Sequence, residues 1–429
     1  MSDEHTPRFA TRSLHAGQEP DPATGARAPP IHQTTSYVFD DADHAARLFA
    51  LEEEGHIYSR LMNPTVSMLQ ERLASLEGGV GALATASGMA AFDLANFVLT
   101  EQGKNVVSSS AIYGGTHTYL SHSAPRRGVN TTFVDPLDYD GYAEAIDEDT
   151  AYVHVETIGN PALVTPDFER LADIAHDNDV PLLVDNTFAT PYLCNPFEHG
   201  ADLIWHSTTK WITGAGTTIG GALIDSGNFP WEDGDYPEIT EDNPAYHGVN
   251  FRERFGEAAF TVTALARGLR DLGNPQSPFD AWNVLQKLET LPLRMERHCE
   301  NALIVAEFLE DHPDVSWVTY PGLESHETHD NATKYLNGGY GGMLTFGLDG
   351  GYDTAKKMTE STELASLLAN VGDAKTLIIH PASTTHQQLT DEEKESSGVR
   401  PDLVRLSVGL EDPADILADL DQAIDAASN

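Results

Sequence analysis

Through the first half of the chain, short apolar runs alternate with helical patterns, and this alternation constrains the fold more than any other feature. The runs are GALATAS, NVVSSS, TTFVD, AYVHVET, PLLVDN, ADLIWHS and GGALID. A first helix is capped by Asn63 and Pro64 and ends at Gly78, further helices start from about Met89 and about Gly115, and PDFERLADIAHDND is an amphipathic helix. Strands that alternate with helices predict an α/β fold with a mostly parallel sheet and helices on both faces.

The same pattern divides the chain into three predicted regions. Residues 1–60 contain the irregular stretch EPDPATGARAPP, which predicts an extended N-terminal arm. Residues 61–260 form the predicted large domain, with a loop-like insertion at about 229–248. After a long helical pattern around FGEAAFTVTALARGLRDLG, residues 261–429 are expected to form a linker helix and a smaller α/β domain. Its predicted strands are VSWVTYP, GGMLTFGL, TLIIHPA and VRLSVGL, and its last helix is PADILADLDQAIDAA.

The chain is strongly acidic, and this excludes some partners. Its formal net charge is −42, from 25 Lys and Arg against 67 Asp and Glu spread along the sequence. Such a field repels nucleic acid and anionic membranes, so we expect neither as a partner. An acidic surface with few lysines is typical of proteins that work in high salt, where self-repulsion is screened. We therefore predict halophilic adaptation.

Cysteine content and hydropathy predict a soluble cytoplasmic protein. Cys194 and Cys299 are too few for a disulfide framework, and neither has a second cysteine nearby to form a metal knuckle. The N-terminus, MSDEHTPRFATRS, lacks the apolar stretch of a signal peptide. No window approaches the roughly 18 apolar residues that a membrane span requires.

A lysine, Lys210, lies in HSTTKW just after the apolar run ADLIW. Such a lysine is either a surface residue whose amine reaches solvent or a desolvated amine that forms a Schiff base. Ligands of open parallel sheets bind at the carboxyl ends of the strands. Asp185 ends the apolar run PLLVDN, and a carboxylate there needs a positive partner such as a protonated pyridine nitrogen.

Other strand ends carry residues suited to a phosphorylated aromatic ligand. The hydroxyls of Ser207 and Thr209 lie on the run that leads to the lysine, where both would reach one phosphate. TASGMAA turns from strand to helix at Gly88, and free N–H groups at a helix N-terminus bind anions. AIYGGTH places the ring of Tyr113 at the next strand end. An amine, a carboxylate, a phosphate site and a stacking ring together predict pyridoxal phosphate.

Two other patterns compete with this interpretation. STTK fits the S-x-x-K pattern of serine acyl-transfer enzymes, but their S-D-N and K-T-G motifs are missing from the sequence, and their S-x-x-K opens a helix. SHETH contains His326 and His329, but its glutamate is in the wrong place for a metal-binding H-E-x-x-H. We predict neither a nucleophilic serine nor a metal site.

Several longer stretches resemble the Cys/Met-metabolism family of pyridoxal phosphate enzymes. They are YSRLMNPT, ATASGMAA, YGGT, ETIGNP, DNTFATPYLCNP, HGADLIWHSTTKW and VRLSVGLED, and the resemblance extends over nearly the whole chain. It implies an aspartate aminotransferase-like fold (fold type I) with pyridoxal 5'-phosphate as cofactor. In this family Lys210 would bind the cofactor as a Schiff base and shuttle protons, and Asp185 would pair with the pyridine nitrogen. Tyr113 would stack on the ring and assist as acid or base.

The resemblance also implies the remaining contacts of the site. Those expected at the cofactor's phosphate are Gly88, Met89, Ser207 and Thr209, while Asn160 would lie near the ring oxygen and the substrate. Arg405 and Ser383, in VRLSVGLED and HPASTTH, would hold the substrate α-carboxylate, since a planar guanidinium suits that group. Tyr58 and Arg60 in YSR would reach the phosphate of a neighbouring subunit, which makes the expected active unit a homodimer, commonly paired into a homotetramer.

Within the family, LANVGDAKTLIIHPASTTHQQL and the insertion ending in NPAYHG resemble the O-acetylhomoserine sulfhydrylase branch. This branch implies γ-replacement on O-acetylhomoserine by sulfide or a small thiol, which gives homocysteine or methionine and acetate. Cystathionine γ-synthase and the γ-lyases of cystathionine or methionine are the alternatives.

Overall fold

The computed structural model of the chain describes residues 6–385, 387 and 398–428. Each apolar run singled out above forms a strand. The strands are β1 (Gly81–Thr85), β2 (Asn105–Ser109), β3 (Asn130–Val134), β4 (Thr150–Glu156), β5 (Leu182–Asp185), β6 (Leu203–His206), β7 (Gly221–Asp225), β8 (Asp242–Asn243), β9 (Val249–Asn250), β10 (Val315–Thr319), β11 (Met343–Leu348), β12 (Ser366–Leu367), β13 (Leu377–Ile379) and β14 (Leu403–Ser407).

Helices begin close to five predicted starts, near Pro64, Met89, Gly115, Phe168 and Pro413, and other helices form where the sequence predicted none. The α-helices of the described residues are α1 (Phe9–His15), α2 (Ala42–Phe49), α3 (Pro64–Glu77), α4 (Gly88–Leu99), α5 (Gly114–Thr118), α6 (Tyr139–Ala145), α7 (Phe168–His176), α8 (Thr190–Leu193), α9 (Pro237–Thr240), α10 (Phe251–Phe255), α11 (Ala259–Thr263), α12 (Arg270–Leu272), α13 (Pro278–Leu288), α14 (Leu291–Glu310), α15 (His329–Tyr335), α16 (Gly351–Ser361) and α17 (Pro413–Ser428). The Asn63 side chain accepts from the Thr65 N–H at 3.0 Å to cap α3, and Gly78 ends that helix with a φ of 81°.

A seven-stranded sheet has the order β1-β7-β6-β5-β4-β2-β3. Strands β3, β2, β4, β5 and β6 are parallel, whereas β7 runs antiparallel to both of its neighbours, β6 and β1. The prediction of an α/β fold with a mostly parallel sheet is confirmed. Asp185 is paired with Trp205 across β5 and β6. The strand ends that carry Asp185 and the HSTTK turn therefore lie side by side at one edge of the sheet.

Both faces of this sheet are buried by helices. Ile204 and Ile224 belong to one apolar core, which also contains residues of α3 and α13. Their strand neighbours Leu203 and Leu223 belong to a second core with residues of α4 and α11. Because successive side chains of a strand point to opposite faces, the two cores lie on opposite sides of the sheet. This explains why the strands are continuous apolar runs.

A second, five-stranded sheet has the order β10-β11-β14-β13-β12, in which β12 and β13 pair in parallel and the other pairs are antiparallel. Helices α14, α16 and α17 supply much of the apolar core that covers it. The predicted regions 1–60, 61–260 and 261–429 are compatible with this arrangement, and their boundaries stay a prediction.

Residues 229–248 contain more structure than the loop that the sequence predicts. They include α9 and β8, which pairs with β9. Trp231 is buried, stacks on Phe260 of α11 with 5.4 Å between ring centroids, and meets Tyr236 edge-on at 5.0 Å. These elements are too short to show a hydrophobic period, so the sequence pattern could not reveal them.

The helical pattern around FGEAAFTVTALARGLRDLG is not one regular helix. It contains a 3₁₀ turn (Gly256–Ala258), α11, a π-helical segment (Ala264–Leu269) and α12. Gly268 lies in the π-helical segment, where an added Cβ would be 2.2 Å from Leu94 Cδ1. A larger residue here would therefore force the Leu94 side chain of α4 to move. Among the residues described, no helix is long and apolar enough to cross a membrane.

We expect Phe260→Ala to lower the free energy of unfolding by about 3–5 kcal/mol, because truncation of a buried aromatic leaves a cavity. Glu307→Ala, at an exposed position of α14, is the matched control and should change it by less than about 0.5 kcal/mol. Denaturant unfolding at constant high salt measures both. Equal effects of the two variants would contradict the packing described for the insertion.

Candidate active site

Lys210 lies in the turn that follows β6, and its amine is partly buried. Its Nζ donates a hydrogen bond to Asn370 Oδ1 at 2.6 Å. Burial, together with the nearby positive charge of Arg405, lowers the pKa of Lys210 to about 8. The surface-lysine alternative is therefore wrong for this residue. An amine with this pKa is partly neutral near pH 7, as a nucleophile or proton carrier requires.

Asn370 is a site residue that sequence reasoning missed. It precedes Val371 in LANVGDAK, between β12 and β13, 160 positions from the lysine that it binds. That stretch was used only for its resemblance to a family branch, and an asparagine in a loop carries no pattern of its own. Contacts between distant segments such as this one become visible only in the fold.

Asp185 ends β5 as a buried carboxylate. Burial raises its pKa to about 6, against the hydrogen bond that its Oδ1 accepts from the Thr187 N–H at 2.9 Å. Within the described parts of the chain this carboxylate makes no ion pair. A cationic group brought to it would relieve the unfavourable burial of its charge.

Glu156, at the end of β4, is a second buried carboxylate that the sequence analysis overlooked. It is the partner of Asp185 in the register of β4 and β5. Burial and the adjacent Asp185 both raise the pKa of Glu156. Its two oxygens accept from the backbone N–H groups of Tyr113, at 2.6 Å, and Asn160, at 3.1 Å. Glu156 thus holds the backbone at two predicted site residues, and the Tyr113 side chain is 48 % exposed.

The start of α4 approaches the HSTTK turn closely. Ser87 caps the helix by accepting from the Ala90 N–H at 3.1 Å. A Cβ added to Gly88 would lie 2.7 Å from Ser207 Cβ and 2.8 Å from Ser207 Cα, so glycine is required for this approach. The N-terminal N–H groups of a twelve-residue helix therefore lie beside Ser207. This is an anion-binding arrangement.

The other two residues predicted at the phosphate make contacts within the chain. Thr209 Oγ1 accepts from the Gly220 N–H at 3.0 Å and lies 3.2 Å from the Gly220 carbonyl, so it fastens the turn to the residue before β7. Met89 lies in the first turn of α4, and its sulfur is 3.9 Å from Thr116 Oγ1. Both remain predictions as phosphate contacts.

Arg405 is buried in the middle of β14, between Thr345 of β11 and Ile379 of β13. Burial lowers its pKa to about 10, while the Tyr113 phenol opposes this shift. No carboxylate pairs with its guanidinium in the described residues. Because a buried, unpaired guanidinium is unfavourable, this position suits an anionic ligand. The charge of Arg405 acts on Lys210 and the Tyr113 phenol acts on Arg405, so side chains carried by the two sheets lie near one another at this site.

Three predicted residues have contacts outside this cluster. Ser383 lies with its Oγ 2.9 Å from Nδ1 of His380. Tyr58 is 42 % exposed. The guanidinium carbon of Arg60 lies over the Tyr58 ring, 5.5 Å from the ring centroid. The structure contains one chain, so a role of these two residues in a neighbouring subunit stays a prediction.

The chain matches one family of known proteins over most of its length. The family described as "Cys/Met metabolism PLP-dependent enzyme" matches residues 10–425. The chain is a member of this pyridoxal phosphate family.

Similar proteins of this family align with 96 % or more of the chain. The homocysteine synthase of Schizosaccharomyces pombe is 53 % identical over all of both chains. The O-acetyl-L-homoserine sulfhydrylase of Leptospira meyeri is 52 % identical over 96 % of both. A solved structure of a putative O-acetylhomoserine (thiol)-lyase from Campylobacter jejuni has a TM-score of 0.95 and 41 % identity, and covers 97 % of this chain and 100 % of its own. That structure carries a pyridoxyl-lysine monophosphate at its position 205.

The described residues fit the cofactor of the family. An amine of lowered pKa, a buried carboxylate without an ion pair and a glycine-dependent helix N-terminus lie on neighbouring strand ends. These three features match the aldehyde, the ring nitrogen and the phosphate of pyridoxal phosphate, in that order. In the described residues, no group of three or more His, Cys, Asp or Glu side chains could hold a metal ion.

Reductive methylation of the cofactor-free enzyme modifies only neutral amines. We expect the modified fraction of Lys210 to reach its midpoint near pH 8, whereas a lysine in a peptide reaches it at about pH 10.4. Arg405→Gln should move this midpoint to higher pH, because it removes a neighbouring positive charge but leaves the lysine buried. Mass spectrometry of the Lys210 peptide measures the modified fraction. A midpoint near that of the peptide would contradict the desolvated amine.

Proposed function

We propose that this enzyme replaces the acetoxy group on Cγ of O-acetylhomoserine with sulfide or a small thiol, and so forms homocysteine or methionine with release of acetate. Relatives that are about half identical over nearly the whole chain are homocysteine synthases or O-acetyl-L-homoserine sulfhydrylases, which supports this choice over cystathionine γ-synthase and the γ-lyases. The observation that carries the proposal is the buried Lys210 amine, coupled to the unpaired Arg405 at the meeting of the two sheets.

In this proposal, bound pyridoxal phosphate withdraws electrons from Cα of the amino-acid substrate. Arg405 binds the substrate α-carboxylate through its planar guanidinium, which gives the buried cation an anionic partner. The neutral Lys210 amine takes the proton from Cα and then moves a proton at Cβ, with Asn370 Oδ1 as a hydrogen-bond acceptor that orients it. Loss of acetate from Cγ leaves an unsaturated carbon to which sulfide adds, and the proton transfers then run in reverse.

The other predicted residues bind and orient. Asp185 pairs with the protonated ring nitrogen, and Tyr113 lies against the ring and is positioned by Glu156. Ser207, Thr209, Gly88 and Met89 bind the phosphate. Asn160, also held by Glu156, contacts the ring oxygen and the substrate, and Ser383 supports the substrate carboxylate near Arg405.

We further propose a cytoplasmic homodimer or homotetramer adapted to high salt. The half-exposed Tyr58 and the Arg60 guanidinium above it, on the irregular segment before α3, would reach the phosphate site of an adjacent subunit. Two free, buried cysteines fit a reducing compartment. The net charge of −42 supports the salt adaptation.

Incubation of the purified enzyme with O-acetylhomoserine tests the proposed reaction. With sulfide we expect stoichiometric homocysteine and acetate, and without sulfide almost no ammonia or oxo acid. Ammonia formed equally well without sulfide would identify a γ-lyase instead. Replacement of sulfide by cysteine, with cystathionine as product, would identify a cystathionine γ-synthase.

Lys210→Ala should lower kcat by at least about 10²–10⁴-fold, because no other amine replaces the proton carrier. Lys287→Ala, at a lysine in α13 outside the strand-end cluster, is the matched control and should keep its activity. Homocysteine formation under saturating substrate measures both. Full activity of the Lys210 variant would refute the mechanism.

Arg405→Ala should chiefly raise KM for O-acetylhomoserine, by about ten- to hundredfold, which corresponds to loss of a charge-assisted hydrogen bond of about 1.5–3 kcal/mol. Arg170→Ala removes a surface arginine that pairs with Asp140 and serves as control. Steady-state kinetics at fixed sulfide separates KM from kcat. An unchanged KM in the Arg405 variant would remove its proposed role.

A further inference from the structure

Glu77 is a fully buried carboxylate directly behind the strand ends of the active site, and no step proposed above uses it. It is the last residue of α3 and has 0 % exposure. Its Oε1 accepts from Asn186 Nδ2 at 3.0 Å and lies 2.5 Å from His206 Nε2. Both partners are also completely buried.

These two partners are the chain neighbours of proposed site residues. Asn186 follows Asp185, and His206 precedes Ser207. The same two segments are joined by the Asn186 N–H to the Trp205 carbonyl at 3.0 Å and by the Ser207 N–H to Thr187 Oγ1 at 2.8 Å. One carboxylate oxygen of Glu77 therefore connects the end of β5 to the end of β6.

The contact between Glu77 and His206 is an ion pair when the ring is protonated. A buried carboxylate is strongly unfavourable without a positive partner, and His206 is the basic side chain that contacts Glu77 in the described chain. A positive charge on His206 would also lower the pKa of Asp185, against the effect of burial. His206 Nδ1 and Glu77 Oε2 have no hydrogen-bond partner among the described residues. The hydrogen bond between His206 Nε2 and Glu77 Oε1 is therefore the one that the His206 ring makes there.

We propose that Glu77 and His206 are positioning residues of the active site, which hold the ends of β5 and β6 together and place a buried positive charge near the Asp185 carboxylate. The pair keeps Asp185 ionised for the cofactor's ring nitrogen and keeps Ser207 beside the start of α4. This inference rests on the role of Asp185 in the proposed function.

The first test is the dissociation constant of pyridoxal phosphate for the cofactor-free enzyme, measured by equilibrium dialysis. Glu77→Gln keeps the shape of the side chain but removes its charge, and we expect the dissociation constant to rise about tenfold, as for other groups behind directly binding residues. Glu77→Asp keeps the charge and should be closer to the native enzyme. A Glu77→Gln dissociation constant within about twofold of the native value would overturn the proposal.

Asp225→Asn is the matched control. Asp225 is another buried carboxylate, which accepts from the Gly227 N–H at 2.8 Å, but it ends the antiparallel β7 and so lies at the opposite edge of the sheet. The variant should lower the melting temperature and leave the dissociation constant unchanged. Equal weakening of cofactor binding in both variants would mean that burial alone matters, and would also overturn the proposal.

Two more variants distinguish a folding defect, a wrong role for the Glu77–His206 pair and a wrong cofactor site. If Glu77→Gln does not fold, the double variant Glu77→Leu/His206→Leu replaces the pair with apolar side chains, which buried ion pairs often tolerate. It should fold and still bind the cofactor weakly, and native affinity would overturn the inference. Asp185→Asn should weaken binding in either case. Native affinity of that variant would refute the proposed cofactor site itself, whereas weak binding by Asp185→Asn with native binding by Glu77→Gln would refute only the role of the pair.

Discussion

Burial of charge at the carboxyl ends of the strands is the constraint on which the rest of this site depends. Lys210, Arg405, Asp185 and Glu156 are all wholly or partly removed from water, and burial is the largest cause of every one of their pKa shifts. Charged groups in such surroundings gain most from a ligand of opposite charge. In the proposed function, the substrate carboxylate meets the buried Arg405 and a protonated pyridine nitrogen meets the buried Asp185, while burial keeps the Lys210 amine partly neutral.

The seven-stranded sheet makes this concentration of charge possible. Its strands are apolar on both faces, and the two cores leave the strand ends as the place where polar side chains accumulate. The second sheet contributes Arg405 and the loop with Asn370, so neither sheet forms the site alone. Glu156 accepts hydrogen bonds from the N–H groups of Tyr113 and Asn160, and Thr209 accepts one from the N–H of Gly220. These bonds fix the backbone at the candidate site.

The sequence predicted those parts of the fold and site that depend on local pattern. Every strand of the large sheet, and every strand of the second sheet except β12, follows from an apolar run, as do the start of α4 and the candidate pair Asp185 and Lys210 from the residues that end such runs. Asn370, Glu156 and the Glu77–His206 pair could not be predicted this way, because each acts through a contact between segments distant in sequence. The short elements between 229 and 248 and the π-helical segment were missed for another reason, since tertiary packing decides their shape and no periodic pattern marks them.

The single antiparallel strand has a consequence for synthesis of the chain. Strand β7 pairs with β1 across more than a hundred intervening residues, with Thr85 opposite Gly221, and an added Cβ on Gly221 would lie 2.1 Å from the Ser87 carbonyl oxygen. Pairing of such distant segments is slow, because a long loop must close first. Until β7 has left the ribosome, β1 has no strand partner and β6 forms the edge of the large sheet, so the turn at Ser87 lacks the neighbouring strand against which it packs. We therefore expect the candidate anion site at the start of α4 to be completed only after β7 has joined the sheet.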